Sequence, residues 1–497
     1  MLILTKNLSF LFFFAAFLLI FSEGCKQDLE IINNSDKDSD TDYPENIAKI
    51  VLTKCAVSGC HNDISKDAAA GLSLTSWENM MQGSRGGAVV IPYNHQQSTL
   101  FLFTNTFLDI GASVIPTMPA GGTPLSKEEV ISLRDWIDMG APDKGGMIKF
   151  SDNPNRKKFY VTNQGCDIVA VFDQETGLIM RYIDVGRSSQ IESPHMVKIS
   201  PDKQYWYVVF TAGNVIQKYR TSDDTFVGEI NIGLGNWNTF TITSDSKKAF
   251  IVDWNSNGVI AYVNLDNMSL IQKYQGSGLY IFPHGIALHP LNKILYITSQ
   301  TGNYIYKIDI NNPAFPEEEK IVLEPGQLPN NTSSLDPHEI VISPDGTKYY
   351  VTCQKSNEVR VFDISNDNLI TVIPTGGYPQ EMSFSTTTDY LFVSCTNDIT
   401  TYPGHTGSVS VINYQTNTFI KSIKTGYQPH GIAVDDNKNL VYVTHRNIDS
   451  NGLPPHHTTS CGGRNGYLTV IDLNTLELAP GKKVELSVDP YFIDIRK

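Results

Sequence analysis

Beyond its first two dozen residues, this chain of 497 lacks any apolar run of the length a membrane-crossing helix needs, about 20 residues. It is also short of positive charge: 38 Lys and Arg stand against 52 Asp and Glu, for a net charge of -14. Contact with nucleic-acid phosphates calls for clustered Lys and Arg, so the balance excludes that class of partner and describes a soluble acidic surface. The acidic stretch at residues 26–44 has gaps of its own. Asp36, Asp38, Asp40 and Asp42 alternate as in a calcium loop, but the glycine and terminal glutamate of an EF-hand are missing. No core-forming pattern occurs there either, and residues 25–44 read as a solvated tether. Nowhere does the chain display a recognisable catalytic base or nucleophile.

What is present begins at the N-terminus. Lys6 precedes an apolar stretch from Phe10 to Phe21, and Ser22, Glu23 and Gly24 lead into Cys25. Residues 1–24 therefore read as a targeting segment. A cysteine directly after Ser-Glu-Gly resembles a bacterial lipoprotein processing site, which implies cleavage before Cys25 and a lipid on its thiol. A plain secretory signal and an uncleaved anchor are the alternatives. The expectation is a protein of the cell envelope, lipid-anchored at the periplasmic or outer-membrane surface, where disulfides can form.

Seven residues, CAVSGCH from Cys55 to His61, carry the strongest chemical signal. Two thiols followed directly by a histidine are the pattern of covalent haem attachment, the thiols adding to the haem vinyl groups and the imidazole filling an axial position on iron. The usual gap between the cysteines is two residues. Here it is four, so the extra residues must bulge outward. The surrounding residues 45–145 read as a small helical domain. An apolar helix over Ile47 to Leu52 leads into Cys55. At the far end, Ser126 and Glu129 form a capping box, and Val130, Leu133, Trp136 and Ile137 fall on one face. Gly140 and Pro142 stop that helix. Between them, in IPTMPAGG, Met118 sits on a loop stiffened by Pro116 and Pro119, as a thioether haem ligand would. Met80 and Met81 are rival ligands, but their helix-like setting reads as core. A zinc site would need a further ligand, for which only His95 is near. A simple disulfide between the two cysteines is the other alternative.

The order and spacing of these features resemble a family of small cytochrome c domains common in planctomycetes and related bacteria. The matching residues are the Cys…Cys-His, then AGLSLTSWENMMQGSRGGAVVIPYNHQQSTLF, the Met-Pro loop and LSKEEVISLRDWIDMGAP. The resemblance implies one covalent haem c, attached through Cys55 and Cys60 and ligated by His61 and Met118.

From residue 157 onward the chain repeats. Copies of an apolar strand after Pro start at PHMVKISPD (194), PHGIALHP (283), PHEIVISPDG (337), PQEMSFS (379) and PHGIAVDD (429), with NWNTFTITSD (236) a weaker one. Each is followed by a second strand such as KYYVTC, a third such as NEVRVFDI and a shorter fourth, at the period of a propeller. The region opens with a second and third strand, KKFYVTN and CDIVAVFD, and closes with a first strand, DPYFIDIRK. The last strand can therefore complete the first blade, which predicts seven blades over residues 150–497, sealed by pairing of the ends. The patterns FYVTN and PHGIA resemble the Y-V-T-N family of seven-bladed propellers. The fold class expected is thus multidomain: a small all-α domain of the cytochrome c kind, then an all-β propeller.

In a propeller the first strand begins, and the second ends, on one face. This gathers His195, His284, His338, His430 and His445 there, with His405, His456 and His457 in neighbouring loops, eight of the eleven histidines. They either bond to neighbouring blades and close the channel, or they hold a metal or second cofactor. Nitrous-oxide reductases and haem nitrite reductases are propellers with such sites, but their ligand motifs are not evident here. Cys166 and Cys461 lie in loops of adjacent blades and are expected to form a disulfide. Cys353 and Cys395 occupy equivalent positions in blades five and six. The favoured function is electron transfer to a redox partner protein, with the propeller as docking platform or redox site. The alternatives are an oxidoreductase using the rim histidines and a binding module for a protein or glycan.

Overall fold

The computed structural model describes residues 41–496 apart from 290, 292, 315–316, 405–406, 449–460 and 462–464. The targeting segment, Cys25, most of the tether, His405, His456 and His457 lie outside the described residues. The repeat folds into seven four-stranded antiparallel sheets. Their innermost strands are Pro490–Ile495, Pro194–Ile199, Trp237–Ile242, Pro283–Leu288, Pro337–Ile342, Pro379–Phe384 and Pro429–Asp435 for blades one to seven. Each innermost strand packs against the next, and the last against the first, so the ring is closed. As expected, the seam lies within blade one, where Pro490–Ile495 pairs with Lys158–Asn163, Val161 opposite Ile493 and Phe159 opposite Ile495.

Burial falls from the channel outward. Second strands such as Lys158–Asn163 are buried along their whole length, being covered on both faces by neighbouring blades. Fourth strands such as Glu317–Val322 are mostly exposed and charged, which blunts an edge open to foreign strands.

The recurring Val-Thr near the end of the second strand has a structural cause. Its hydroxyl reaches across to the next blade and donates to the backbone carbonyl of the residue after the proline. Thr162 bonds His195 (3.0 Å), Thr298 bonds His338 (2.8 Å), Thr352 bonds Gln380 (2.9 Å), Ser394 bonds His430 and Thr444 bonds Tyr491 (3.0 Å). In blade three, where that position is Val252, Thr239 of the innermost strand takes over and bonds the His284 carbonyl. The glycine of Pro-His-Gly has an equally local reason. A Cβ at Gly285 would lie 2.4 Å from the His338 carbonyl oxygen, so only glycine lets blades four and five approach this closely.

The segment before the propeller differs from the all-α domain expected. Among the described residues it holds four α-helices, α1 (Glu45–Lys54), α2 (Trp77–Met81), α3 (Thr99–Thr104) and α4 (Lys127–Asp138), of which α2 and α3 span only five and six residues. Pro92, Pro116, Pro119 and Pro124, with glycines at 83, 86 and 87, break the remainder into irregular chain. The capping box at Ser126 and Glu129 is present, and Val130, Leu133, Trp136 and Ile137 are buried. They share a core with Ile47, Val51, Trp77, Met80 and Met81.

Asp42–Lys497 form one compact unit, and the contacts explain why. Ala88 and Ile91 sit in the same apolar cluster as Phe159, Leu468 and Val484 of blades one and seven. The Gly86 carbonyl accepts from the Glu485 amide at 2.9 Å. Gly87 lies so close to Val484 that a Cβ there would be 2.7 Å from Cγ1. No helix among the described residues is long and apolar enough to cross a membrane.

Candidate functional site

Helix α1 runs straight into the CAVSGCH turn. The Cys55 amide donates to Val51, and the His61 amide reaches back to the Cys55 carbonyl at 3.1 Å. The four intervening residues therefore close into a turn whose tip, Val57, Ser58 and Gly59, is exposed. Gly59 has φ +81°, with nothing within 4 Å of where a Cβ would sit.

Beside this turn lies a cavity of about 310 Å³. Leu72, Leu74, Val89, Leu100 and Phe103 give it an apolar wall, Cys55 and His61 line it, and so does Met118. The Met118 loop is tied to α3 by its amide, which donates to the Phe103 carbonyl at 2.7 Å. Glu485, from the outer strand of blade seven, completes the lining. Three of the four residues expected to hold haem thus meet at one cavity. Cys60, half-buried on the turn, does not line it. Met80 and Met81 are fully buried in the helical core and also stay away from it.

Two electrostatic facts bear on what the cavity accepts. Burial, with Cys60 adding to it, pushes the Cys55 thiol up to about 11. Burial also lowers His61, opposed by the Leu72 carbonyl, and its Nδ1 is buried with no hydrogen-bond partner. A neutral imidazole is the ligand form. His95, the further ligand required for zinc, is engaged elsewhere. Its Nδ1 lies 2.8 Å from both carboxylate oxygens of Asp138, and its ring packs edge-on against Phe101. Cys55 and Cys60 are both free thiols, not a disulfide. Cys55, His61 and Met118 are the groups with which this apolar cavity could hold a haem, while Cys60 stands apart from it.

The propeller channel gathers a second group. The residue after the start of each innermost strand is Tyr491, His195, Asn238, His284, His338, Gln380 and His430 around the ring, and all seven are buried. His195, His284, His338, His430 and Tyr491 form a circuit of ring contacts, with centroids 3.7 to 6.1 Å apart. Burial drives all four imidazoles down, His284 to about 4. Two of them behave as ring-closing fillers: Nδ1 of His195 meets Gln164 at 3.1 Å, and Nδ1 of His284 meets the His338 carbonyl at 3.3 Å. The other two do not. Nδ1 of His338 is buried without a partner, and so are both nitrogens of His430 apart from a weak pull from the Tyr491 backbone.

His445 corrects the expectation of a single histidine-lined rim. It is bonded within its own blade, to the Tyr427 carbonyl and Thr469, and stacks on Tyr467 at 4.4 Å.

One step further along the strands are Glu339 and Glu381, which reading the sequence for histidine and cysteine passed over. Both are buried. Burial raises Glu339 to about 7, and burial plus Glu339 raises Glu381, while Lys198 opposes both shifts. Aligning the copies PHGIA, PHEIV and PQEMS would have exposed them as carboxylates where blades four and seven carry glycine.

Cys166 and Cys461 are disulfide-bonded, as expected, with Cα atoms 5.3 Å apart. Cys353 and Cys395 are free and buried.

This architecture defines a seven-bladed β-propeller protein with a helical segment docked on its seam. A model of the lactonase family of seven-bladed β-propellers matches residues 283–402, which span blades four and five and the inner half of blade six. No curated protein matches the chain significantly in sequence. Among solved structures, a functionally unknown protein from Desulfotomaculum acetoxidans aligns with TM-score 0.52 and 16% identity, over 68% of this chain and 98% of that one. Hydrazine synthase from Kuenenia stuttgartiensis aligns with TM-score 0.47 and 16% identity, over 62% and 91%. At such identities the likeness concerns the fold alone.

Proposed function

We propose that this protein is an envelope-located c-type haem protein that passes electrons to a redox partner protein, with the propeller as its docking platform. The observation that carries the reading is the meeting of Cys55, His61 and Met118 at one apolar cavity. When bound, the haem supplies a one-electron couple, whose potential His/Met ligation raises. His61 and Met118 would ligate its iron, and Cys55 and Cys60 would anchor it through thioether bonds. The leucines, Val89 and Phe103 would exclude water, favouring the less charged redox state. The acidic surface would favour a partner with a basic docking face. In the same reading Cys25 carries a lipid, and residues 26–44 tether the protein to a membrane.

The deciding experiment is production in a host with a haem-attachment system, followed by a pyridine-haemochrome assay. One covalent haem per chain is expected, lost in Cys55→Ala. Met118→Leu should retain haem but lower its midpoint potential. Protein that is folded but carries no covalent haem refutes the reading.

A further inference from the structure

The buried polar groups of the channel are not balanced by the protein's own hydrogen bonds. Unpartnered nitrogens belong to His338 and His430, and Oε2 of Glu339 is likewise buried and bare. Leaving a buried polar atom unpaired costs on the order of 1–3 kcal/mol, so three such residues within one cluster point to a missing ligand. One ligand atom each from His338, Glu381 and His430 lies within 4.8 Å of the others. Among the described residues this is the one group of three or more His, Cys, Asp or Glu side chains drawn so close.

We propose that His338, His430 and Glu381 bind a divalent first-row metal ion, zinc or ferrous iron, in the propeller channel. Two imidazoles and one carboxylate are a ligand set both metals accept, and it leaves coordination positions open. A tetrahedral site with bonds of about 2.1 Å places its ligand atoms about 3.4 Å apart, so the three have to draw in by at most about 1.4 Å. Glu339 stands beside the site as the partner for a metal-bound water. The three ligands come from blades five, six and seven, so the ion would also cross-link the ring. This centre is separate from the cavity beside His61 and does not depend on haem there.

The test is equilibrium dialysis of chelator-stripped full-length protein against Zn²⁺, then elemental analysis, with haem iron counted separately by pyridine haemochrome. One equivalent of zinc is expected. Glu381→Gln and His430→Gln should each weaken uptake at least tenfold while haem content stays unchanged. Zinc-edge X-ray absorption on the wild-type protein, which needs no variant to fold, should show nitrogen and oxygen neighbours with imidazole scattering. Ferrous iron offered anaerobically should compete with the zinc. Folded wild-type protein that takes up no zinc overturns the proposal. So does a sulfur-containing shell, or a folded Glu381→Gln protein that binds as tightly as wild type.

Discussion

Removing the Cys166–Cys461 bond by the double substitution Cys166→Ser, Cys461→Ser gives the sharpest test of how the ring is held. The cysteines are 295 residues apart in sequence. Constraining an unfolded chain over a loop of that length removes about 19 cal/mol/K, or about 5.7 kcal/mol at 25 °C. Native-state adjustments subtract from this, so a loss of about 3–6 kcal/mol is expected. With an unfolding entropy of about 2.1 cal/mol/K per residue over roughly 340 propeller residues, the full effect would lower the melting midpoint by about 8 °C. Cys461 is exposed, so dithiothreitol should reproduce the shift without prior unfolding. The assay is guanidinium unfolding of wild-type and variant protein, with and without reductant, alongside alkylation of the non-reduced protein and mass measurement. A loss below about 1 kcal/mol would show that the unfolded chain is not the state being constrained. Alkylation of both thiols without reductant would show that the bond is absent.

Three further outcomes follow from contacts described above or belonging to the same core. Lys158 is buried in the seam strand with its Nζ 2.7 Å from Asp224, which also accepts from Tyr160 and Trp206. Lys158→Met should cost about 3–5 kcal/mol in chemical unfolding, by leaving that buried carboxylate only Arg181, at 3.8 Å, as an ion partner. Thr444→Val keeps the volume but removes the hydroxyl that accepts from the Gly431 amide and donates to the Tyr491 carbonyl; a loss of about 2 kcal/mol is expected, and a neutral result would deny the hydroxyl relay any energetic role. Gly285→Ala should destabilise by at least about 1–3 kcal/mol, because its methyl group meets backbone of blade five rather than a movable side chain.

Much of the propeller was legible because its signals are local and repeated. Pro at the start of the inner strand, Val-Thr in the second and a turn between them recur often enough that one degenerate copy, NWNTFTITSD, still falls into place. The closing strand was legible for a different reason: an opening half-blade and a final lone strand leave only one pairing that completes both. The helical segment was harder. Its capped helix α4 is set by Ser126 and Glu129 within one turn, whereas the stretch around Ala88 and Ile91 folds against Phe159 of blade one and against Leu468 and Val484 of blade seven, which lies hundreds of residues away in sequence. No periodicity can announce such packing. The cavity was foreseen through His61 and Met118, but Glu485 joins it only because blade seven happens to pass beside the Gly86 turn. Glu339 and Glu381 stayed hidden because a carboxylate on a strand ordinarily faces water. Only the ring geometry shows that these two face the channel interior.

The seam in blade one also orders events in time. Blades two to seven are each continuous in sequence and can form as soon as their own residues are available. Blade one has to wait for Pro490–Ile495 to arrive, about 330 residues after the strand it joins. The shared cluster of Ala88 and Ile91 with Phe159, Leu468 and Val484 is assembled from both sides of that junction, and Glu485 reaches the His61 cavity from the same place. The pocket near the front of the protein therefore depends for part of its wall on residues close to the far end of the chain.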